Sequence, residues 1–256
     1  MFGRRTRAFV LAAAAALSAA CGQNASGSGQ SPAANEKPAK MTFEVVLLDD
    51  VPDPFNPLPD GAPKGISTFQ ELIVNGPESI DTRTFVRLVV QPGETLDQAR
   101  ARAKPWFDQI KLPAGDRLLF QEITEENEVT KKREGVGVRT FIGTSTVVLT
   151  REDVGDATLG VTPDQEEKPQ PVAMIQLAAE SGKRFQKFTA ENVLKRLGVL
   201  IDGKVVMAAR IQEEIAGGKI SISLDPEIPY EPRRAELERI VNGIRPGGAP
   251  PPLPPK

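Results

Sequence analysis

The sequence contains no histidine, and it contains only one cysteine, one tryptophan and one tyrosine. Histidine is the commonest general base in enzymes and a very common metal ligand. Its absence excludes Ser-His and Cys-His catalysis, and no other pattern in the chain indicates a catalytic group, a cofactor or a small-molecule substrate. We therefore expect that the protein is not an enzyme.

One group of acidic residues resembles a metal site in composition only. Asp49, Asp50, Asp53 and Asp60 could in principle surround a calcium ion. Their spacing is not that of an EF-hand, and prolines lie between them. We expect a solvated loop here, without a metal.

Three other polar or aromatic features have simple structural interpretations. Ser181 and Lys183 could be imagined as a Ser-Lys pair, but Ser181 is better explained as the cap of a helix. The single basic run, Lys131 to Arg133, follows several glutamates and is typical of a solvated loop, so no nucleic-acid partner is expected. Trp106 is expected in the core.

The lone cysteine, Cys21, follows an uncharged apolar run from Ala8 to Ala20. Arginines precede this run, which is shorter than the ~20 apolar residues that span a bilayer. We predict a signal peptide over residues 1–20. Leu17 to Cys21 resembles a bacterial lipobox, in which Cys21 becomes the lipidated first residue, although the aliphatic residue is one place further from the cysteine than usual. The alternative is an ordinary cleavage site followed by a chance cysteine.

The residue after the cysteine indicates to which of the two bacterial membranes the lipoprotein is anchored. In lipoproteins of this kind an aspartate at that position favours retention at the inner membrane, and this chain has Gly22. We expect a bacterial envelope protein, anchored to the outer membrane and facing the periplasm. Residues 21–40 are rich in Gly, Ser, Ala and Pro and predict a disordered tether, and residues 246–256 predict a disordered Pro-rich tail.

Between these segments the sequence predicts alternating strands and helices. Thr42 to Leu48 alternates in hydrophobicity as a strand does, and Thr95 to Ile110 is predicted as a helix with Thr95 and Gln98 as a capping box. Further strands are expected at 85–90, 117–124, 136–142, 146–149 and 172–177. A last helix is predicted to begin at Pro232.

Residues 188–223 carry the clearest local signals. Thr189 is predicted to cap a helix, and Asp202-Gly203 predicts a tight hairpin between two β-branched runs. Gly217-Gly218 predicts a turn into a last alternating strand.

Phe188 to Ser223 closely resembles the head of the first periplasmic domain of SecD, the membrane subunit that assists protein export. Val148 to Ala157 resembles the Leu-Thr-Gly-Glu-Asp-Leu-Thr-Asp-Ala run of that family. Ala235 to Leu253 is similar to the helix and exit that lead SecD back into its membrane. The resemblance covers roughly residues 147–253, and residues 51–143 have no assigned counterpart.

The resemblance implies an α+β fold with an antiparallel or mixed sheet and helices packed on one face, of the ferredoxin-like type. It implies a SecD-head-like domain over residues 147–245, without the transmembrane part of SecD. Residues 41–146 would form an N-terminal α+β part of unassigned family.

The function that the resemblance implies is polypeptide binding, accessory to protein export or to the handling of envelope proteins. The partners would be a membrane, through the lipid on Cys21, and an unfolded polypeptide held at the sheet edge around the hairpin. The alternative is a non-enzymatic assembly lipoprotein that docks onto one fixed envelope protein.

Overall fold

A computed structural model describes residues 41–74, 80–126, 133–163 and 169–247. The predicted signal peptide, Cys21, the tether, Lys131, Lys132 and residues 248–256 of the tail lie outside the described residues. The described part contains ten strands and three α-helices. In chain order they are β1 (Phe43–Leu48), β2 (Ile66–Val74), β3 (Ile80–Val89), α1 (Leu96–Phe107), β4 (Asp116–Glu126), β5 (Arg133–Thr150), β6 (Val154–Pro163), β7 (Pro169–Leu177), α2 (Ala179–Glu191), β8 (Arg196–Ile201), β9 (Lys204–Arg210), β10 (Lys219–Ile222) and α3 (Tyr230–Ile244).

Seven strands form one mixed sheet, in the order β1-β8-β9-β4-β5-β3-β2. β1 also pairs with β5, so the first five of these strands close into a barrel. All pairs are antiparallel except β4 with β9, which meet in parallel at Phe120 and Lys204 alone. Each barrel strand contributes to the buried interior, whose members are Val46, Leu48, Leu119, Phe141, Leu200 and Val205.

β2 and β3 form a hairpin that joins the barrel through β5. One face of this extension is covered by α1, and Val86, Leu88, Val138 and Trp106 are buried between them. The predicted capping box of α1 is confirmed, because Thr95 Oγ1 accepts from Gln98 N at 3.3 Å and Gln98 Oε1 accepts from Thr95 N at 2.7 Å. Trp106 lies in the core as expected, and its Nε1 donates to the carbonyl of Asp60.

The remaining strands form a second, antiparallel sheet in the order β10-β7-β6. This sheet, α2 and α3 share a hydrophobic core with the outer face of the barrel strands β1 and β8. Fully buried members include Ile175, Phe185, Leu237 and Ile240. The fold is therefore α+β, and the ferredoxin-like type stays a prediction.

The predicted division between residues 146 and 147 lies inside β5, which runs without interruption from Arg133 to Thr150. The two strands predicted over 136–142 and 146–149 are one strand. β2 and β6 were not predicted. The described residues belong to a single unit, because β1, from the first predicted part of the chain, pairs with β8 from the second as well as with β5.

Two predicted helix caps are wrong. Thr189 lies near the end of α2, where its buried hydroxyl donates to the carbonyl of Gln186 and accepts from Ile215 N at 2.9 Å. Ser181 lies inside the first turn of α2 and donates to Asp153 Oδ1 at 2.6 Å. A threonine hydroxyl that accepts from a loop amide has the same chemistry as one that caps a helix, so the residue type alone does not distinguish these two roles.

The last helix begins at Tyr230, two residues before Pro232.

Candidate functional site

Beyond their single pair, β4 and β9 separate and leave two strand edges facing a groove. Gln121 to Ile123 continue to pair with β5, and Val205 and Val206 lie on the strand that pairs with β8. Among the described residues, neither run pairs with a strand on its other side. Such an edge carries main-chain donors and acceptors that an added strand can satisfy.

The floor of the groove is the face of the sheet that α1 does not cover. Ser67, Arg87, Arg139 and Gln121 lie opposite one another across β2, β3, β5 and β4. Arg87 alternates with the buried residues on the α1 side, so its side chain points the other way. Apolar surface on this floor comes from Phe69 and Ile123.

The walls come from the second half of the chain. One wall is the β8–β9 hairpin, whose turn residues Asp202 and Gly203 have φ angles of 50° and 74°. The other wall contains residues 224–228 and the side chains of Glu236 and Arg239 on α3. The groove has a volume of about 860 Å³.

Six carboxylates and four cationic side chains line the groove. Lys204 Nζ lies 2.7 Å from Glu122, and Arg239 lies 2.7 Å from Glu236 and 3.8 Å from Asp202. The hydrogen bond from Arg239 to Glu236 raises the pKa of Arg239. These contacts give half of the carboxylates a cationic partner.

Beneath the groove, an ion-pair chain joins the two halves of the sequence. Arg196 of β8 donates through Nε to Asp50 Oδ2 at 2.7 Å and through a second nitrogen to Oδ1. It also lies 3.4 Å from Glu71 of β2, which accepts from Arg139 at 2.6 Å. Burial lowers the pKa of Arg139. The chain therefore fixes β2 and β8 relative to β5.

Three phenylalanine rings pack around these two arginines. The Arg139 guanidinium carbon lies 4.3 Å from the Phe141 ring centroid and 5.2 Å from that of Phe69. The Arg196 guanidinium carbon lies 5.7 Å from the ring centroids of Phe85 and Phe141. Cation–π contacts of this kind add to the ion pairs where water is excluded.

The structure separates the residues singled out in the sequence. Asp202 lines the groove and Gly203 follows it in the same turn, whereas Gly217 and Gly218, with φ angles of 72° and 63°, form a turn against α2. Lys183 lies 2.9 Å from Glu180, and so the Ser181–Lys183 pair does not form a dyad.

Three of the four aspartates, Asp49, Asp50 and Asp53, have separate side-chain partners, and the fourth, Asp60, accepts from Trp106 through its main-chain carbonyl. Asp49 accepts from the amide of Val51, and Asp53 accepts from the amide of Thr84. Asp50 holds Arg196, and within the described ranges no group of three or more potential ligands is arranged to hold a metal ion.

Sequence reasoning missed the floor residues Phe69 and Arg139 and the wall residues Asp225 and Glu227. Arg139 carried a usable signal, since a charged residue between the buried Val138 and Thr140 indicates an open face of the strand. No local pattern indicated that 224–228 would face β4.

Residues 121–227 match the family model described as the SecDF P1 head subdomain. The chain therefore contains a SecD-like head domain. The match begins earlier than the predicted residue 147 and ends before α3, so residues 121–143 do have a counterpart in the family. It includes the β8–β9 hairpin and the part of β4 from Gln121 onward, which form the two edges of the groove.

Individual relatives show the same likeness. The chain is 36% identical to the protein translocase subunit SecD of Acidaminococcus fermentans over 76 residues, which are 30% of this chain and 17% of the relative. It is 30% identical to SecD of Aquifex aeolicus over 107 residues, which are 42% of this chain and 20% of the relative. The chain thus spans a fifth or less of these relatives.

Two solved structures are also similar. One is the membrane component SecDF that enhances protein export, with 20% identity and a TM-score of 0.31 over 78% of this chain and 93% of that chain. The other is SecDF in its super-membrane-facing form, with 20% identity and a TM-score of 0.33 over 84% of this chain and 30% of that chain.

None of the helices in the described part of the chain has the length and apolar character needed to cross a bilayer.

Proposed function

We propose that this protein is a polypeptide-binding module connected to protein export, and that it holds an extended segment of a client chain in the groove. The observation that carries the proposal is the separation of β4 from β9 after one pair. Gln121 to Ile123 and Val205 to Val206 thereby present main-chain groups to the same space. An extended peptide bound by strand addition gains affinity from such groups, largely independently of its sequence.

The groove suits a segment that must be released again. Its edges are short, so few main-chain hydrogen bonds form, and its floor alternates apolar with charged side chains. The SecD-like head supports the link to export, since the relatives are subunits of the protein translocase. The proposal includes no catalytic step, cofactor or small-molecule substrate.

Crosslinking in intact cells followed by purification of this protein tests the function. We expect many unrelated polypeptides, each in small amount. Recovery of one folded envelope protein in stoichiometric amount would instead support the alternative, a structural lipoprotein that docks onto a fixed partner. Fluorescence anisotropy with unfolded peptides gives the matching measurement in solution, and we expect weak binding.

We also propose that a lipid on Cys21 anchors the protein in the envelope, with Gly22 favouring the outer membrane. Replacing Cys21 by serine should move the protein from the membrane to the soluble fraction. Each buried methylene of an acyl chain contributes ~0.8 kcal/mol to the free energy of membrane binding, and the serine variant would carry no acyl chain. Fractionation with mass spectrometry of the mature amino terminus measures this. A Cys21→Ser protein that stays with the membrane as the parent does would disprove the lipid anchor.

A further inference from the structure

The charges that line the groove do not balance. Three of its six carboxylates, those of Glu122, Asp202 and Glu236, lie within 4.0 Å of a lysine or arginine. Among the described residues, no such partner is present for the other three, Glu125, Asp225 and Glu227. Of the four cationic side chains in the lining, three are paired with carboxylates.

The unpaired carboxylates lie on both sides of the groove. Glu125 is on β4, and Asp225 and Glu227 are on the opposite wall. All three residues are exposed, and Asp225 is held in place because its Oδ1 accepts from the amide of Glu227 at 2.9 Å. Arg87, the remaining cationic side chain of the lining, has no carboxylate partner within the part of the chain that the structure describes. The open charge of the groove is therefore negative.

From this imbalance we infer that the groove selects extended polypeptide segments that carry lysine or arginine over segments that carry aspartate or glutamate. The inference rests on the proposed function and names the chemistry of its client. In an extended segment alternate side chains point to opposite sides. Aliphatic side chains can then contact the floor at Phe69 and Ile123 while cationic side chains reach the carboxylates at the rim. Acidic segments are disfavoured by like-charge repulsion.

Three labelled peptides of equal length, with alternating leucine–lysine, leucine–serine and leucine–glutamate, test the inference by anisotropy with the purified full chain. Exposed ion pairs contribute modestly, so we expect the lysine peptide to bind at least about threefold more tightly than the serine peptide, and the glutamate peptide to bind more weakly. Raising the ionic strength from about 0.05 M to about 0.5 M should remove most of this difference.

The double variant Asp225→Asn/Glu227→Gln tests whether these two wall carboxylates cause the preference for the lysine peptide. Asparagine retains the hydrogen bond to the amide of residue 227, so the wall should keep its shape. We expect the lysine peptide to lose about threefold or more in affinity while the serine peptide is unaffected. Glu191→Gln/Glu213→Gln is the matched control, since it removes two exposed carboxylates that do not line the groove.

Equal binding of the three peptides would overturn the inference and leave the proposed function standing. Equal weakening by the two double variants would also overturn it, because the preference would then follow the net charge of the protein. Binding to none of the peptides would overturn both the inference and the proposed function.

Discussion

Replacing Arg196 by alanine should lower the free energy of unfolding by about 2–4 kcal/mol, because it leaves the largely buried carboxylate of Asp50 without its counter-charge. The side chains of Arg196 and Asp50 are only 13% and 11% exposed, and both guanidinium-to-carboxylate bonds to Asp50 would be lost. Glu71 would lose one of its two arginine partners. Urea unfolding of the full chain measures the change.

Arg234→Ala is the matched control for this variant. Arg234 lies on α3, its side chain is 50% exposed, and it is 4.0 Å from Glu231. We expect a change below about 0.5 kcal/mol, as for other exposed pairs along a helix. If Arg196→Ala destabilises the protein no more than Arg234→Ala does, the ion-pair chain does not fix β2 against β8.

Replacing Gly218 by alanine should destabilise the protein by about 3 kcal/mol, through backbone strain combined with a steric clash. Gly218 has a φ of 63°, and an added Cβ would lie 2.9 Å from Cα of Gly182 and 3.3 Å from Cβ of Leu177. Since the first of these neighbours is helix backbone, it cannot rotate out of the way. The turn and α2 would have to move apart.

Gly217 provides the control within the same turn. Its φ is 72°, but an added Cβ would meet nothing within 4 Å. Gly217→Ala therefore reports the backbone strain alone, about 1 kcal/mol. Equal urea midpoints for the two variants would show that the close approach of Gly182 and Gly218 contributes nothing to stability.

Local chemistry made some of this fold predictable. The capping box at Thr95 and Gln98 depends on two side chains three residues apart, and the Asp202-Gly203 turn depends on the positive φ of two adjacent residues. In each case the residues from which the feature was predicted are the residues that form it. Thr189 shows the limit, because its hydroxyl is satisfied by the amide of Ile215, which is remote in sequence.

β6, which was not predicted from the sequence, also depends on a contact with another part of the chain. β6 contains Gly155 and Gly160, which disfavour a strand on intrinsic propensity. In the folded chain Gly160 leaves room for Met174, since an added Cβ would lie 2.5 Å from its Sδ. This packing of Met174 against the strand is a tertiary contact, which no local pattern around Gly160 indicates.

The groove could be predicted only in part. The hairpin, which forms one wall, was expected to lie at the binding surface. The other parts come from β2, β4 and residues 224–228, which are far apart in sequence and meet only because the barrel closes through the single pair of Phe120 and Lys204. The SecD resemblance indicated the hairpin and the strands around it, but the unpaired edge of β4 is a property of the folded sheet.

Hydrogen–deuterium exchange of the backbone amides, with and without the leucine–lysine peptide, tests the central claim most directly. A segment added in the groove must hydrogen bond to the edges of β4 and β9. We predict that the peptide slows exchange within Gln121 to Ile123 and at Val205 and Val206, and leaves the outer edges of β2 and β6 unchanged. Slower exchange confined to β2 or β6, or no change along β4 and β9 at saturating peptide, would contradict strand addition in the groove.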